Sequence, residues 1–248
     1  MNTTNKQLIC DADMIVFRAA AAAEQEIRWD DDTWTLQTNM SDAKSMVLQQ
    51  MDAIMHDLNT TEVVMVFSPS KNYRHDLCPT YKANRKDKRK PLGLKELRDW
   101  VTDTYPTTCA PNIEADDLIG ILVTENPEHR IAVSGDKDFG TLPVTWYNPL
   151  KKSINTATEE DADRFHLIQS LMGDTADGYA GLKGVGPKTA EKILDKGGAT
   201  WETVVAAYES KGLTEDDALL TARLARILRT GDYDHKTKEV TLWEPTKH

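Results

Sequence analysis

Cysteine is scarce: Cys10, Cys78 and Cys109 are the only three in 248 residues, odd in number and far apart. They offer neither a disulfide framework nor the spacing of a zinc site, so a reducing cytoplasm is the expected setting. Long apolar runs are missing too. No stretch reaches the roughly 20 residues of a membrane-spanning helix, and the opening MNTTNKQLIC lacks the basic and apolar regions of a signal peptide. No membrane partner is expected. The six histidines show no ligand spacing, and His75 and His166 read as surface or packing residues. There is no internal repeat, low-complexity tract or clear linker, and the length suits one large domain or a domain with an appendage.

Charge, by contrast, is abundant and unevenly placed. The net charge is −10, yet Tyr81 to Arg98 (YKANRKDKRKPLGLKELR) sets eight basic residues against Asp87 and Glu96. A basic patch on an acidic body can still neutralise phosphates, because the field of the remainder is screened within about 10 Å at physiological salt. Taken alone, such a run is more often a solvated loop. The acidic excess then needs its own explanation.

The periodicity predicts an α/β chain. Strands are expected at KQLIC up to Asp11, at EVVMVF (62–67), near TTCA, at RIAVS (130–134) and at PVTWYN. Helices are expected from Asp13 to Glu24, after a Ser41 cap through Val47, Met51, Ile54 and Leu58, from Leu92 to about Thr102, and after an Asn112 cap. EIRWDDDTWTLQT suggests a hairpin. Strands alternating with helices indicate a mainly parallel central sheet flanked by helices. After about residue 158 the pattern turns helical, with KEVTLWEP as a returning strand. The expected organisation is an α/β body over 1–158, with a basic arch at about 81–100, and a helical lobe over 159–248.

The acids collect where such a fold places ligands. Asp11 follows the first strand and Asp136 and Asp138 follow RIAVS, at the carboxyl ends of strands. Glu114, Asp116 and Asp117 occupy a first helical turn, and Asp174 and Asp177 lie in GDTADGYAG. Singly, each has a structural explanation as a cap, a turn residue or a complement to the helix dipole. Together they would repel one another, and divalent cations would relieve that repulsion. Oxygen-only ligands point to Mg²⁺ or Mn²⁺, and a cluster this large suits two ions for displacement at phosphorus. The segment GLKGVGPKTAEKIL (181–194) places small residues ahead of a helix N-terminus, an arrangement that suits anions, with Lys183 and Lys188 adding charge.

The set ICDADMIVFRAA, YRHDLCPTYKANR, EADDLIG, SGDKDFGTLP, GDTADGYAGLKGVGPKTAEKIL and ARILR resembles, in order and spacing, the 5′→3′ exonuclease and flap endonuclease family, especially its short bacteriophage exonucleases. The resemblance implies that Asp11, Glu114, Asp116, Asp117, Asp136, Asp138, Asp174 and Asp177 form a two-metal centre, with Asp11 and Asp136 central to catalysis. It implies that Lys82 and Arg85 reach the scissile phosphate and that Arg74 and Lys86 belong to the DNA-binding set. Lys183, Gly184, Val185, Gly186, Lys188 and Thr189 would form the hairpin of a helix-three-turn-helix element on the DNA backbone, which in this family can also hold a K⁺ ion. The implied partner is double-stranded DNA with a free 5′ end, nicked, flapped or RNA-primed, handled by a monomer with or without a replisome partner. The implied role is primer removal or host DNA degradation in phage replication. The chain departs from the family at Ser68–Pro69, where a further metal-binding Asp is usual; Asp13 and Asp76 are the nearby acids.

Two other readings stay open at this level. ICDADMIVF also fits a phosphatase with Asp11 as nucleophile and Asp13 as general acid, and the departure at Ser68–Pro69 fits a structure-specific DNA binder without catalysis. Of the aromatics, Tyr81 or Trp100 is placed to stack on an unpaired base, the tryptophans otherwise read as core or element ends, and Met46, Met51 and Met55 read as one buried helix face.

Overall fold

The computed structural model describes residues 6–85 and 87–245. Its centre is a six-stranded sheet built on β1 (Gln7–Asp11), whose Leu8, Ile9 and Cys10 are buried. Such apolar strands need cover on both faces. From the end of β1 the chain turns directly into α1 (Ala12–Ala22), because the Asp11 side chain accepts the Met14 N–H as its N-cap. The next elements are the hairpin β2 (Glu24–Arg28) and β3 (Trp34–Thr38), α2 (Met40–Leu58) and β4 (Val63–Val66). The short α3 (Arg74–Leu77), α4 (Leu94–Thr104), β5 (Thr107–Thr108) and α5 (Ala115–Glu125) come next. β6 (Arg130–Val133), β7 (Thr145–Asn148) and β8 (Ser153–Thr156) complete the sheet.

The strand order is β5-β4-β1-β6-β7-β8. All pairings are parallel except β7 with β8. One face is covered by α1, α2 and α4 through Ile15, Val47, Met51, Ile54 and Leu97. The other is covered by α5 through Leu118 and Ile119, together with Ile227, Leu228 and Tyr233 from the C-terminal segment. The lobe is α6 (Glu159–Met172), the small hairpin β9 (Gly173–Asp174) and β10 (Tyr179–Ala180), α7 (Pro187–Gly197), α8 (Trp201–Glu209) and α9 (Glu215–Ala225). It has its own core, including Leu171, Leu194 and Tyr208. Among the described residues, no helix is long and apolar enough to cross a membrane.

Several local expectations are corrected. Asn39, not Ser41, caps α2 by accepting the Ser41 and Asp42 N–H groups. Glu114, not Asn112, caps α5 in a reciprocal box with Asp117. Each wins because its side chain reaches back to the orphan donors of the first turn. KEVTLWEP adds no strand to the sheet: Tyr233 and Val240 form an isolated bridge, Val240 and Leu242 pack on the body, and Trp243 lies edge-on to His166 and Trp201 of the lobe. Trp29 and Trp34 lie exposed on the β2–β3 hairpin, and Met46 points outward while Met51 is buried. Within 81–100 the chain makes a 3-10 turn at Ala83–Arg85 and then α4, with Glu24 gripping Arg89 through both carboxylate oxygens.

Candidate active site

The carboxyl ends of β1 and β6 meet through a serine. Ser134, fully buried, donates its hydroxyl to Asp11 Oδ2 at 3.1 Å and accepts the Asp136 N–H at 3.2 Å. Asp136 then accepts the Asp138 N–H at 2.9 Å, which fixes the GDKD turn. Beside it, α5 presents Asp116. Burial, then repulsion from Asp11 and Asp136, holds the Asp116 carboxyl well above the usual range. Burial also pushes Asp11 up to about 6, with Asp13 and Asp136 adding repulsion against the Met14 and Ser134 hydrogen bonds.

The lobe supplies the other acids. Asp174, at the end of β9, accepts the Ala176 and Asp177 N–H groups. Two lysines bridge lobe and body. Lys137 Nζ lies 2.9 Å from Asp138 Oδ1 and 3.0 Å from Asp174 Oδ2. Lys82 Nζ lies 2.7 Å from Glu114 Oε1 and 3.7 Å from Asp177 Oδ2. Arg85 pairs with Asp177, and Asn84 donates to the Thr175 and Ala176 carbonyls. YKANR is therefore rooted in the acidic turn of the lobe.

These pairings explain the opposed titration of the acids. Burial, then repulsion from Asp136, raises Asp138 to about 6, with Lys137 offsetting only part of this. Burial also raises Asp177 despite Lys82 and Arg85. In Glu114 burial is outweighed by Lys82 and Arg74, so its carboxyl lies below the usual range. Asp174 falls for the same reason, with Lys137 as the partner. Divergent carboxylates in one place are a mark of functional sites.

Two residues of the expected set sit elsewhere. Asp117 is fully buried, and both its oxygens are bound by Arg74, at 2.5 and 2.8 Å. Arg74, expected among the DNA contacts, is 3% exposed and also donates to the Leu224 and Arg226 carbonyls. The two form an internal strut between α3, α5 and the end of α9. Tyr81 is buried and donates to Glu114 Oε2 at 2.7 Å, so it offers no face to a base. Trp100 packs beside the α1–α2 core, with Lys44 Nζ 5.7 Å from its ring centre. Lys86 lies outside the described residues.

At the family's usual aspartate position, Ser68 Oγ accepts the Ala115 N–H at 2.9 Å and helps to seat α5. Asp13 accepts the Ser68 N–H at 2.7 Å and faces Arg98 at 3.6 Å, whereas Asp76 pairs with Lys71 on the surface. Asp13, unlike Asp76, therefore adjoins the site.

The glycines of 181–186 divide by role. A Cβ on Gly181 would stand 2.4 Å from the Met172 carbonyl carbon, so this glycine permits close packing within the chain. Gly184, at φ +80°, and Gly186 face open space beside exposed Lys183, Lys188 and Thr189. Val185 is half-buried against the lobe core.

Sequence reasoning did not find Ser134, Lys137 or Gln169. Lys137 was visible inside GDKD, but only the fold shows that it joins two acids 36 positions apart in the chain. As placed, no three acids, histidines or cysteines among the described residues form a group that could hold a metal ion. The all-oxygen donor set and the raised carboxyls nonetheless suit a hard divalent cation, and the ammonium groups now between the acids stand where such charge is needed.

Residues 6–166 match the 5′-3′ exonuclease, N-terminal resolvase-like domain. The exonuclease of Escherichia phage T7 is 30% identical, over 96% of this chain and 93% of its own. The phage T5 D15 protein co-crystallised with metal ions shares the fold at a TM-score of 0.67 and 17% identity, over 89% of each chain. A T5 D15 flap endonuclease complex with DNA and metal ions superposes at 0.65 and 16%, over 89% of this chain and 88% of that one. This chain belongs to the 5′-3′ exonuclease family.

Proposed function

We propose that this 5′-3′ exonuclease is a divalent-metal-dependent phosphodiesterase acting on double-stranded DNA from a 5′ end. The observation that carries the reading is the approach of Asp11, Glu114, Asp116, Asp136, Asp138, Asp174 and Asp177 from four separate stretches of chain: Lys82 joins Glu114 to Asp177, Lys137 joins Asp138 to Asp174, and Asp116 feels the charges of Asp11 and Asp136. Asp11, Asp116 and Asp136 would hold one side of the ion site, and Asp138, Asp174 and Asp177 the other, with Glu114 between them. Mg²⁺ or Mn²⁺, in two positions, would supply an activated water and neutralise phosphate charge.

The protein's own groups do the rest. Lys82 and Arg85 rise from the acidic floor and are the cations that meet the scissile phosphate, offsetting charge as it develops. Ser134 keeps Asp11 and the Asp136 backbone in fixed relation. The basic run beyond Arg85 lines the path of the 5′ strand. Lys183, Gly184, Gly186, Lys188 and Thr189, ahead of α7, grip the duplex backbone as a helix-three-turn-helix hairpin, holding the DNA without reading sequence. Products carry 5′ phosphates, RNA–DNA hybrids are a second substrate, and the role is primer removal or DNA degradation in phage replication. The T5 relative's DNA and metal ions support this reading.

The phosphatase alternative loses support, since its general acid, Asp13, accepts the Ser68 N–H and faces Arg98. Asp136→Ala tests the proposal: it should abolish Mg²⁺-dependent cleavage of a 5′-labelled duplex while leaving DNA affinity in EDTA within a few-fold. Wild-type cleavage by this variant would refute the assignment. Retained affinity with no nucleotide release by the wild-type protein would favour a non-catalytic binder.

A further inference from the structure

The geometry points to Gln169 as a positioning residue that fixes Asp138 for ion binding. This inference rests on the reading of the acids as an ion site. Gln169 lies on α6, is 1% exposed, and donates its Nε2 to Asp138 Oδ1 at 2.5 Å. A carboxylate only accepts, so the amide must present its NH₂ to Asp138. Its Oε1 is thereby turned into the interior, where it has no hydrogen-bond partner among the described residues. Buried polar atoms are nearly always paired, and one left unpaired destabilises the fold. A leucine would fill the same space without that penalty. The glutamine's contribution must therefore lie in what its other end does.

What that end does is select an oxygen. Gln169 Nε2 and Lys137 Nζ both donate to Asp138 Oδ1, while Oδ2 accepts no hydrogen bond seen among the described residues. Oδ2 is the atom left for a cation. The two donors differ in permanence. Lys137 is more than half exposed and bridges to Asp174, so its flexible ammonium can withdraw when a divalent ion arrives. Gln169 cannot withdraw. Its helix is locked to the GDKD turn, where Gly140 lies so close that a Cβ there would be 3.0 Å from the Phe165 ring. Flanking Ser170 and His166 are buried and tied to the His166 and Ala222 carbonyls. A ligand carboxylate held from a rigid helix loses little freedom on metal binding, and loss of such an outer partner typically weakens metal affinity by about 10–100-fold.

The test is calorimetric titration with Mn²⁺, without DNA, of wild-type protein, Gln169→Leu, Gln169→Met and Asp138→Asn, with melting curves in EDTA. Both Gln169 variants should melt at or above the wild-type temperature, because an unpaired buried acceptor is removed. They should bind Mn²⁺ about 10–100-fold more weakly. Their cleavage should recover at high Mn²⁺, and their DNA affinity in EDTA should stay unchanged. Two variants of different shape guard against a failure to fold. Wild-type Mn²⁺ affinity in the Gln169 variants alongside weakened binding in Asp138→Asn would overturn the positioning role alone. Wild-type affinity in Asp138→Asn as well would bring down the ion-site reading together with it.

Discussion

Asp116→Asn and Asp117→Asn should act in opposite directions on stability although the residues are neighbours. Asp117 is fully buried, binds Arg74 through both oxygens, and accepts the Glu114 and Leu228 N–H groups at 3.1 and 3.2 Å. Its asparagine variant leaves the buried Arg74 guanidinium without its bidentate partner and with only Glu114 Oε2, 3.4 Å away, as an ion pair. Removing one partner of such a pair costs about 3–5 kcal/mol. At about 2–4 °C per kcal/mol for a chain of this size, Tm should fall by roughly 6–20 °C. Asp116 is destabilised by burial and by Asp11 and Asp136, so neutralising it should leave Tm unchanged or raise it in EDTA. Activity separates them again: Asp116→Asn should lose cleavage at every Mg²⁺ concentration, whereas Asp117→Asn, below its own Tm, should keep a wild-type Mg²⁺ dependence. Melting by calorimetry in EDTA, paired with Mg²⁺ titrations of cleavage, reads both. If Asp117→Asn melts with the wild-type protein and no longer responds to Mg²⁺, Asp117 is an ion ligand and the strut argument is wrong.

Two further outcomes follow from the same geometry. Lys183→Glu should weaken duplex binding in EDTA and reduce the slope of log affinity against log salt by about 1 or more, as expected for a lost phosphate contact; an unchanged slope would remove Lys183 from the DNA face. Asp138, raised to about 6 by burial and then Asp136, binds its proton more tightly folded than unfolded. Its contribution is thus fully present below the ordinary aspartate value and is lost as pH rises through about 6. In EDTA, the urea midpoint of the wild-type protein should therefore fall relative to that of Asp138→Asn between pH 4 and 7, and a pH-independent difference would contradict the shift.

The fold was legible where both faces of an element are buried. β1, β4 and β6 are short apolar runs with an abrupt polar end, and Asp11 at such an end marks both a helix cap and a site. β8 was not legible, because Ser153 and Asn155 alternate with Ile154 and Thr156 in an edge strand that buries little. The acids were legible as a set through their positions after strands and in first helical turns. Their division was not. In sequence Arg74 and Lys82 are two cations in one segment, yet the first is sealed beneath Asp117 and the second stands beside Glu114 and Asp177. Burial decides that difference, and burial is a property of the assembled chain. Gln169 escaped notice because a neutral residue on a helix face carries no charge signal.

The most direct measurement is product sizing on a 5′-labelled blunt duplex, with Mg²⁺ and again with EDTA. The account predicts short labelled products bearing 5′ phosphates in Mg²⁺ and intact label in EDTA. Equal cutting in EDTA, or label that stays full-length in Mg²⁺, would contradict it.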